Sequence, residues 1–595
     1  MTTREKLQAL RRLMRRHKLD AYYVPSVDPH QSEYVPACWQ RRAWLSGFTG
    51  SAGDLLVTAR WAGLWTDSRY FLQAEQQLAG SGITLMKLGL PGTPSLVEHA
   101  GRLLRKGQVL GVDPQVFSLE AADRFTAALA ERGIKVRYVT RNLVDALWED
   151  RPEPSPAPIR PHGTRFSGES TAHKLRRVRE AVRAAGAKAH VLGALDAIAW
   201  LFNIRSRDIA YTPVAIAYAV VTMRDAVLYT DPRKVTPAVR RALGRHVKIR
   251  PYAEVADGLR RLARQGQPVL VDPATTNRWV ADLLRGCELV RAESPVMAMK
   301  AVKNPVQQRG IRAAHVRDGV AMVQFLRWLE EAVPAGGVTE ISAAERLAAF
   351  RAEQEHFQDL SFATISAYGP HGAIVHYDPT PETDVPLRPR GVYLIDSGGQ
   401  YLDGTTDVTR TVALGPVSRH ARKMFTLVLK GHINLARTPF PQGTSGQRLE
   451  MLARQPLLLD GVNYGHGTGH GVGHYLGVHE GPMSVSPRDV RNVPLAPGQL
   501  LSIEPGHYEA GKFGIRIENL CFVVPDPDHS TPDTEWYRWD PVTLCPIDLA
   551  MVVPELLSAE EKRWLNDYHR RVYRELAPRL DRAHRAWLRR ATRAV

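Results

Sequence analysis

Along the first 300 residues, apolar runs with strand character alternate with amphipathic stretches, and much of the pattern occurs twice. The opening segment, MTTREKLQALRRLMRRHKLD, mixes apolar and basic positions in the manner of an amphipathic helix. Then come LDAYYVPS, AWLSGFTG and LLVTARWAGLWTDSRYF, and later KAHVLGAL, AWLFNIRS and YAVVTMRDAVLYTDPRKV. Each set predicts an apolar strand, a helix end at Ala-Trp-Leu, and a hairpin finishing in Thr-Asp, at Thr66-Asp67 and at Thr230-Asp231. Helical stretches such as 119–132 intervene, so two related mixed α/β modules are expected. Between them, the prolines of RPEPSPAPIRPHGT (151–164) fix φ and remove donors, which predicts an extended linker.

A further boundary is expected near KAVKNPVQQRG (300–310). The pattern of IRAAHVRDGVAMVQFLRWLEEAV then predicts a long helix ending before Pro334, and ISAAERLAAFRAEQ predicts a second. From 361 to about 525 short strands, glycines, acidic residues and histidines dominate. From 536 a tail is expected: a segment rich in Arg, Trp and Tyr, then a long basic helix in which Trp564, Tyr568 and Tyr573 serve packing. These shifts divide the chain at 1–155, 165–304, 305–535 and 536–595.

A chain of 595 residues with 44% hydrophobic content is long enough for several domains with large cores. No apolar run reaches membrane-spanning length, so no membrane association is expected. The N-terminus lacks the uninterrupted apolar stretch and small-residue cleavage site of a signal peptide. Cys38, Cys287, Cys521 and Cys545 are widely separated, which argues against a disulfide framework and a thiolate zinc site and suits a reducing cytoplasm. The formal charge of +18 is diffuse and peaks in the last 27 residues. With no RNP-like, zinc-finger or basic-zipper pattern, it is read as a solvated face rather than a nucleic-acid surface.

The candidate chemistry lies in four stretches of the third region. HGTGHGVGH (466–474) spaces His466, His470 and His474 four apart. A helix would align them, but Gly467, Gly469, Gly471 and Gly473 would each cost it roughly 1 kcal/mol relative to alanine. An extended strand or loop is predicted instead. Four is also an even number, so a regular strand would align them too, and spacing alone does not rank them.

In VYLIDSGGQYLDGTTDVTRTV an apolar strand delivers Asp396, Gly398 and Gly399 permit a turn, and Thr405 to Val412 return as an alternating strand. Asp396 and Asp407 then sit on adjacent strands, where two carboxylates repel unless a cation joins them. LLSIEPGHY places Glu504 at a strand end before Pro505. In FGIRIENLCFVV, Ile515 and Ile517 face the core, while Arg516 and Glu518 share the opposite face. A glutamate inside so apolar a run requires a strong partner. Asp396, Asp407, His470, Glu504 and Glu518 together offer an oxygen-rich set with one imidazole, suited to Mn²⁺, Co²⁺, Fe²⁺ or Zn²⁺. Five groups, several able to bridge, favour two ions.

DSGGQYLDGTTDVTRT, HGTGHGVGHYLGVHEG, SIEPGHY and GIRIEN, in that order, closely resemble the pita-bread metallopeptidases, and among them the aminopeptidase P (Xaa-Pro aminopeptidase) family. VPSVDPHQSEYV and LWTDSRYFLQAEQQL resemble its long three-domain cytosolic form, so the resemblance spans nearly the whole chain. It implies an α/β (α+β) architecture: two related creatinase-N-like domains, a pita-bread catalytic domain and a C-terminal helical tail. It implies hydrolysis of the N-terminal Xaa-Pro bond of peptides by a cytoplasmic homodimer holding two divalent ions, manganese first. Asp396, Asp407, His470, Glu504 and Glu518 become the metal ligands, with Asp407 and Glu518 bridging and Glu504 also handling the water proton. His376, His466 and His479 match substrate-binding and proton-handling histidines, and Arg516 and Tyr508 match supporting positions. His371, His420, His474 and His507 match no required position. The alternatives are a prolidase-like Xaa-Pro dipeptidase and a non-catalytic pseudopeptidase.

Overall fold

The computed structural model describes residues 1–489 and 491–595. It divides into two compact units, one comprising Met1–Gly163 with Glu169–Met297, the other Thr164–Gly168 with Ala298–Val595.

The first unit contains the same sheet twice. In the first copy, Ala21–Val24 is central, antiparallel to Asp54–Thr58 and parallel to Val109–Val112; outside them lie Ala62–Thr66, Thr84–Lys87 and Lys135–Tyr138. In the second, Ala189–Leu192 occupies the same place between Ala217–Thr222 and Val269–Val271, flanked by Ala226–Thr230, Lys248–Pro251 and Leu289–Arg291. Strand order and every parallel or antiparallel pairing match between the two six-stranded sheets. The duplicated pattern in the sequence is therefore a duplicated topology. Both hairpins end on a buried threonine, Thr66 and Thr230, whose hydroxyls donate to Ala52 O and Ile216 O. The opening helix forms at Thr3–Arg16, closed by a Thr2/Glu5 capping box.

In the second unit a 31-residue helix, Pro305–Ala335, leads into Glu340–Ala352. It begins earlier than the apolar pattern indicates because Asn304 and Gln307 form a capping box with Pro305 at the first position. It also runs through Pro334 rather than ending before it. Proline there costs only one bond in the last turn, and the Gly336 N–H (φ 86°) bonds back to Ala332 O and Val333 O.

Three antiparallel sheets carry the rest: Phe357–Leu360, Gly399–Tyr401 and Gly404–Thr405 in one; Ile365–Tyr368, Val392–Ser397 and Val408–Ala413 in the second; Phe440–Pro441, Trp536–Pro541, Asn519–Pro525, Leu500–Ile503, Gly469–Gly471 and Glu480–Val485, in that spatial order, in the third. A separate hairpin pairs Gly506–Glu509 with Phe513–Arg516. The expectation of short strands from 361 to 525 omitted two helices, Arg419–Arg437 and Gly446–Leu458. The first is amphipathic: Lys423, Lys430 and Arg437 lie seven apart on one partly exposed stripe while most of the rest of its length is buried, a helical period that the expectation passed over.

The tail is two helices, Ala559–Leu576 and Arg582–Ala591, not one. Pro578 interrupts the hydrogen-bond ladder and Asp581 caps the new start, accepting from the His584 N–H. Tyr568 is buried and stacks on Trp564 at 5.5 Å, and Tyr573 packs against the same core. Leu576, Leu580, Trp587 and Leu588 are buried there too, so the apolar tail positions are used within the chain.

Arg410 fastens this tail to the sheet. It is 1% exposed and donates to Thr409 O, Glu518 O, Asn519 Oδ1, Pro546 O, Cys545 O and the Tyr568 hydroxyl, at 2.6–3.0 Å. Arg410→Met should lower stability by about 3–5 kcal/mol, because it strands several buried acceptors at once. Denaturant unfolding of the two proteins checks this.

Candidate metal centre

The site forms where backbones approach too closely for side chains. A Cβ on Gly469 would lie 2.0 Å from Ser502 O, and one on Gly471 2.2 Å from Glu480 O. The glycines of HGTGHGVGH thus let the Gly469–Gly471 strand pass between Glu480–Val485 and Leu500–Ile503. The strand is not regular, because the register shifts between His470 and Gly471, so the expected common face for the three histidines does not form. Gly398 serves a similar purpose: its Cβ would meet Thr406 O at 1.9 Å. It permits close packing of two strands rather than the expected turn. The returning strand is likewise interrupted, with Gly404–Thr405 and Val408–Ala413 flanking Asp407.

Asp396 lies in Val392–Ser397, and Asp407 precedes Val408, which pairs with Ser397. Glu504 follows Leu500–Ile503; Glu518 sits between Phe513–Arg516 and Asn519–Pro525. Single ligand atoms of Asp407, His470 and Glu518 all lie within 4.8 Å of one another. His470 Nε2 is 3.5 Å from Asp407 Oδ2 and 3.4 Å from Glu504 Oε1. Its Nδ1 is 2.9 Å from Gly471 O, which places the proton on Nδ1 and turns the Nε2 lone pair toward the carboxylates.

The electrostatics are those of a cation site. Burial, then the charges of Asp396 and Glu504, push the Asp407 carboxyl well above the usual carboxylate range. Burial, then Asp407, Glu504 and Asp396, do the same to Glu518. Burial also raises Glu504, to about 7, with Arg516 opposing and Asp396 adding to the rise. Asp396 Oδ1 and Glu518 Oε1 are buried and meet no hydrogen-bond partner among the described residues. Four clustered carboxylates, two orphaned buried oxygens and one oriented imidazole fit divalent cations.

Arg516, 2% exposed, supports one side. Its Nη2 donates to Asp396 Oδ2 (2.6 Å), its Nη1 to the Tyr508 hydroxyl (2.8 Å) and its Nε to Thr409 Oγ1 (3.2 Å). The Tyr508 hydroxyl is 2.7 Å from His466 Nε2, and His466 Nδ1 is 2.7 Å from Gly467 O. Tyr508 therefore accepts from Arg516 and donates to His466. His479 stands beside the cluster, its ring 4.3 Å from that of His470. Tyr508→Phe breaks the relay while keeping the ring, and should lower kcat/KM by ~10–100-fold, with a stability loss of about 1–3 kcal/mol from the stranded Arg516 Nη1. Steady-state kinetics with melting curves check this.

His376 belongs to the loop after the 3₁₀ turn Gly369–Ala373, which packs so closely that a Cβ on Gly372 would meet Gly514 N at 2.8 Å. Glu340, fully buried, fastens this loop: it accepts from Tyr368 N–H (2.7 Å) and the Tyr377 hydroxyl (2.9 Å), and His371 Nδ1 is 2.9 Å away. His371 is thus a partner of Glu340, and His474 is buried beyond the strand.

Sequence reasoning missed Glu340 and Thr409. Thr409 accepts from Arg516 and donates to Glu518 Oε2 (2.8 Å). The signal was the period-two pattern of DVTRTV, which puts Asp407, Thr409 and Thr411 on one face. It also missed Arg454, which donates to His466 O (2.6 Å) and lies over the Tyr464 ring at 3.8 Å.

Four family models match the chain: the Creatinase/Prolidase N-terminal domain at residues 6–143 and again, as a second model, at 150–307; Metallopeptidase family M24 at 309–525; and the C-terminal region of peptidase M24 at 535–595. A probable Xaa-Pro aminopeptidase P of Aspergillus flavus is 41% identical over 100% of this chain and 93% of its own. The chain belongs to the Xaa-Pro aminopeptidase P family of M24 metallopeptidases. Aminopeptidase P2 of Arabidopsis thaliana is also 41% identical, over 97% of this chain and 86% of its own. The crystal structure of X-prolyl aminopeptidase from Caenorhabditis elegans, described as a cytosolic enzyme with a di-nuclear active site, superposes with a TM-score of 0.97 at 37% identity, covering 100% of both chains. The family architecture expected from the motifs is the one found: two creatinase-N-type modules, the M24 catalytic fold and a helical C-terminal region.

Proposed function

We infer that the chain is a metal-dependent aminopeptidase that hydrolyses the bond between an N-terminal residue and a following proline. The observation that carries this is the convergence of Asp407, His470 and Glu518, with Asp396 and Glu504 beside them, in a full-length relative of Xaa-Pro aminopeptidases. Asp396, Asp407, His470, Glu504 and Glu518 would hold two divalent cations, manganese in our reading, with Asp407 and Glu518 shared between them. Such ions lower the pKa of a water and polarise a scissile carbonyl.

The remaining steps fall to side chains. Glu504, at the edge of the cluster and 17% exposed, accepts the water's proton and returns it to the proline nitrogen. That nitrogen carries no hydrogen in the substrate, so it must be protonated to leave. His376 and His479 donate to the carbonyl and the oxyanion that develops from it. His466, held by Tyr508 and by Arg454 through its carbonyl, shapes the pocket on the proline side. Arg516 keeps Asp396 aimed, a positioning task.

The four-segment division at 155, 165, 305 and 536 is retained, supported by the spans of the four family matches. A cytoplasmic homodimer is also proposed, supported by the described relative's cytosolic setting and by the exposed Met451, Leu458 and Leu459, of which the first two lie seven apart on one helix face. No helix of the described residues is long and apolar enough to cross a membrane.

A peptide panel tests the activity. Xaa-Pro-Xaa tripeptides should release the free first residue, leaving a peptide that begins with proline. Cleavage of Xaa-Pro dipeptides with tripeptides untouched would instead assign a dipeptidase.

A further inference from the structure

Strand alternation gives the hairpin beside the metal centre two chemically distinct faces. In Gly506–Glu509, Tyr508 turns toward Arg516 and His466, so His507 and Glu509 turn the other way. There they meet His420, the second residue of the helix Arg419–Arg437. We propose that His420, His507 and Glu509 form a separate zinc-binding site, on the face of the hairpin turned away from the catalytic carboxylates.

The donor set is already assembled. One ligand atom from each residue lies within 4.8 Å of the others. His507 Nε2 is 2.9 Å from Glu509 Oε1, and His420 Nε2 is hydrogen-bonded to the same oxygen. Two imidazoles thus converge on a single carboxylate oxygen, although they come from segments 87 residues apart. Lys512 occupies only the other oxygen, Oε2, at 2.9 Å. Partial burial would raise the Glu509 carboxyl, but hydrogen bonds from His507, Lys512 and His420 hold it down at about 2, so it is ionised as a ligand must be.

The Phe513 ring backs both imidazoles, with centroids 5.9 Å from His420 and 6.2 Å from His507, which limits their rotation. His507 is 5% exposed while His420 is open to solvent, so a cation can enter from outside and still be gripped from the protein side. Two imidazoles and one carboxylate with an open position are the ligand set of a zinc ion completed by water. On binding, the imidazoles replace their hydrogen bonds to Glu509 with Nε2–zinc bonds, carrying their protons on Nδ1. The ion would tie the helix start to the hairpin that bears Tyr508 and that immediately follows Glu504.

The test is zinc content at a fixed free-zinc concentration, measured on zinc-loaded holoenzyme and its His420→Ala and Glu509→Gln variants. Wild type should hold one zinc more per chain than either variant, and added zinc should raise the melting temperature of wild type by more than that of either variant. Equal zinc content, or an equal thermal response, in folded wild type and His420→Ala would overturn the proposal. All three chains keep the same catalytic carboxylates. The difference between them therefore does not depend on whether the dinuclear reading of the main centre holds.

Discussion

Asp407→Ala is expected to abolish Xaa-Pro hydrolysis, with kcat/KM lower by on the order of 10³-fold or more. Groups that merely orient a metal's ligands cost ~10–100-fold when removed, and Asp407 lies inside the cluster, not around it. It is 4% exposed, and its Oδ2 faces His470 Nε2 at 3.5 Å. Its carboxyl is the group on which burial, Asp396 and Glu504 press together. Removing it takes away one carboxylate of the cluster, in our proposal a cation ligand, and relieves the repulsion in the metal-free protein. The variant should therefore fold and, without metal, melt at or above the wild-type temperature. Loss of activity without loss of fold is the diagnostic combination, read from peptide hydrolysis and melting curves on one preparation.

The second large effect concerns metal removal. In the metal-free protein Glu504 titrates near 7 and Asp407 and Glu518 well above the carboxylate range, while all three ionise normally once unfolded. Below about pH 4 the groups are protonated in both states and cost nothing. As pH rises, the unfolded chain releases protons that the folded one retains, so stability is lost progressively through pH 7. Bound cations reverse this, because they require the ionised carboxylates. The gap in melting temperature between metal-loaded and chelated protein should therefore widen from about pH 5 to about pH 7, where it should represent several kcal/mol. A gap that narrowed with rising pH would mean that these carboxylates do not hold the cation.

Much of this site was legible because buried charge is costly. Asp396 in VYLID, Glu504 after LLSI and Glu518 before NLCFVV each interrupt an apolar run that would otherwise exclude them. The duplicated modules were legible because a hairpin ending in Thr-Asp recurs with the same neighbours, and the hydroxyls of Thr66 and Thr230 make equivalent bonds. The ranking of His466, His470 and His474 was not legible from spacing. The register shift after His470, where the partner passes from Ser484 to Glu480, decides which ring faces the carboxylates, and it depends on backbones from two other strands. The helix Gly446–Leu458 was hidden by its opening glycine and by Pro456 within it. Glu340 gave no signal because it acts across 37 residues, through Tyr377, on the loop bearing His376.

Metal-dependent Xaa-Pro cleavage is tested most directly by a matched pair of tripeptides, Xaa-Pro-Xaa and Xaa-Ala-Xaa, offered to the enzyme before chelation, after exhaustive chelation, and after manganese is restored. The first residue should be released from the proline peptide alone, the release should stop on chelation, and it should return with the metal. Hydrolysis that persists in the chelated enzyme, or that proceeds as fast on the alanine peptide, would contradict metal-dependent cleavage at proline.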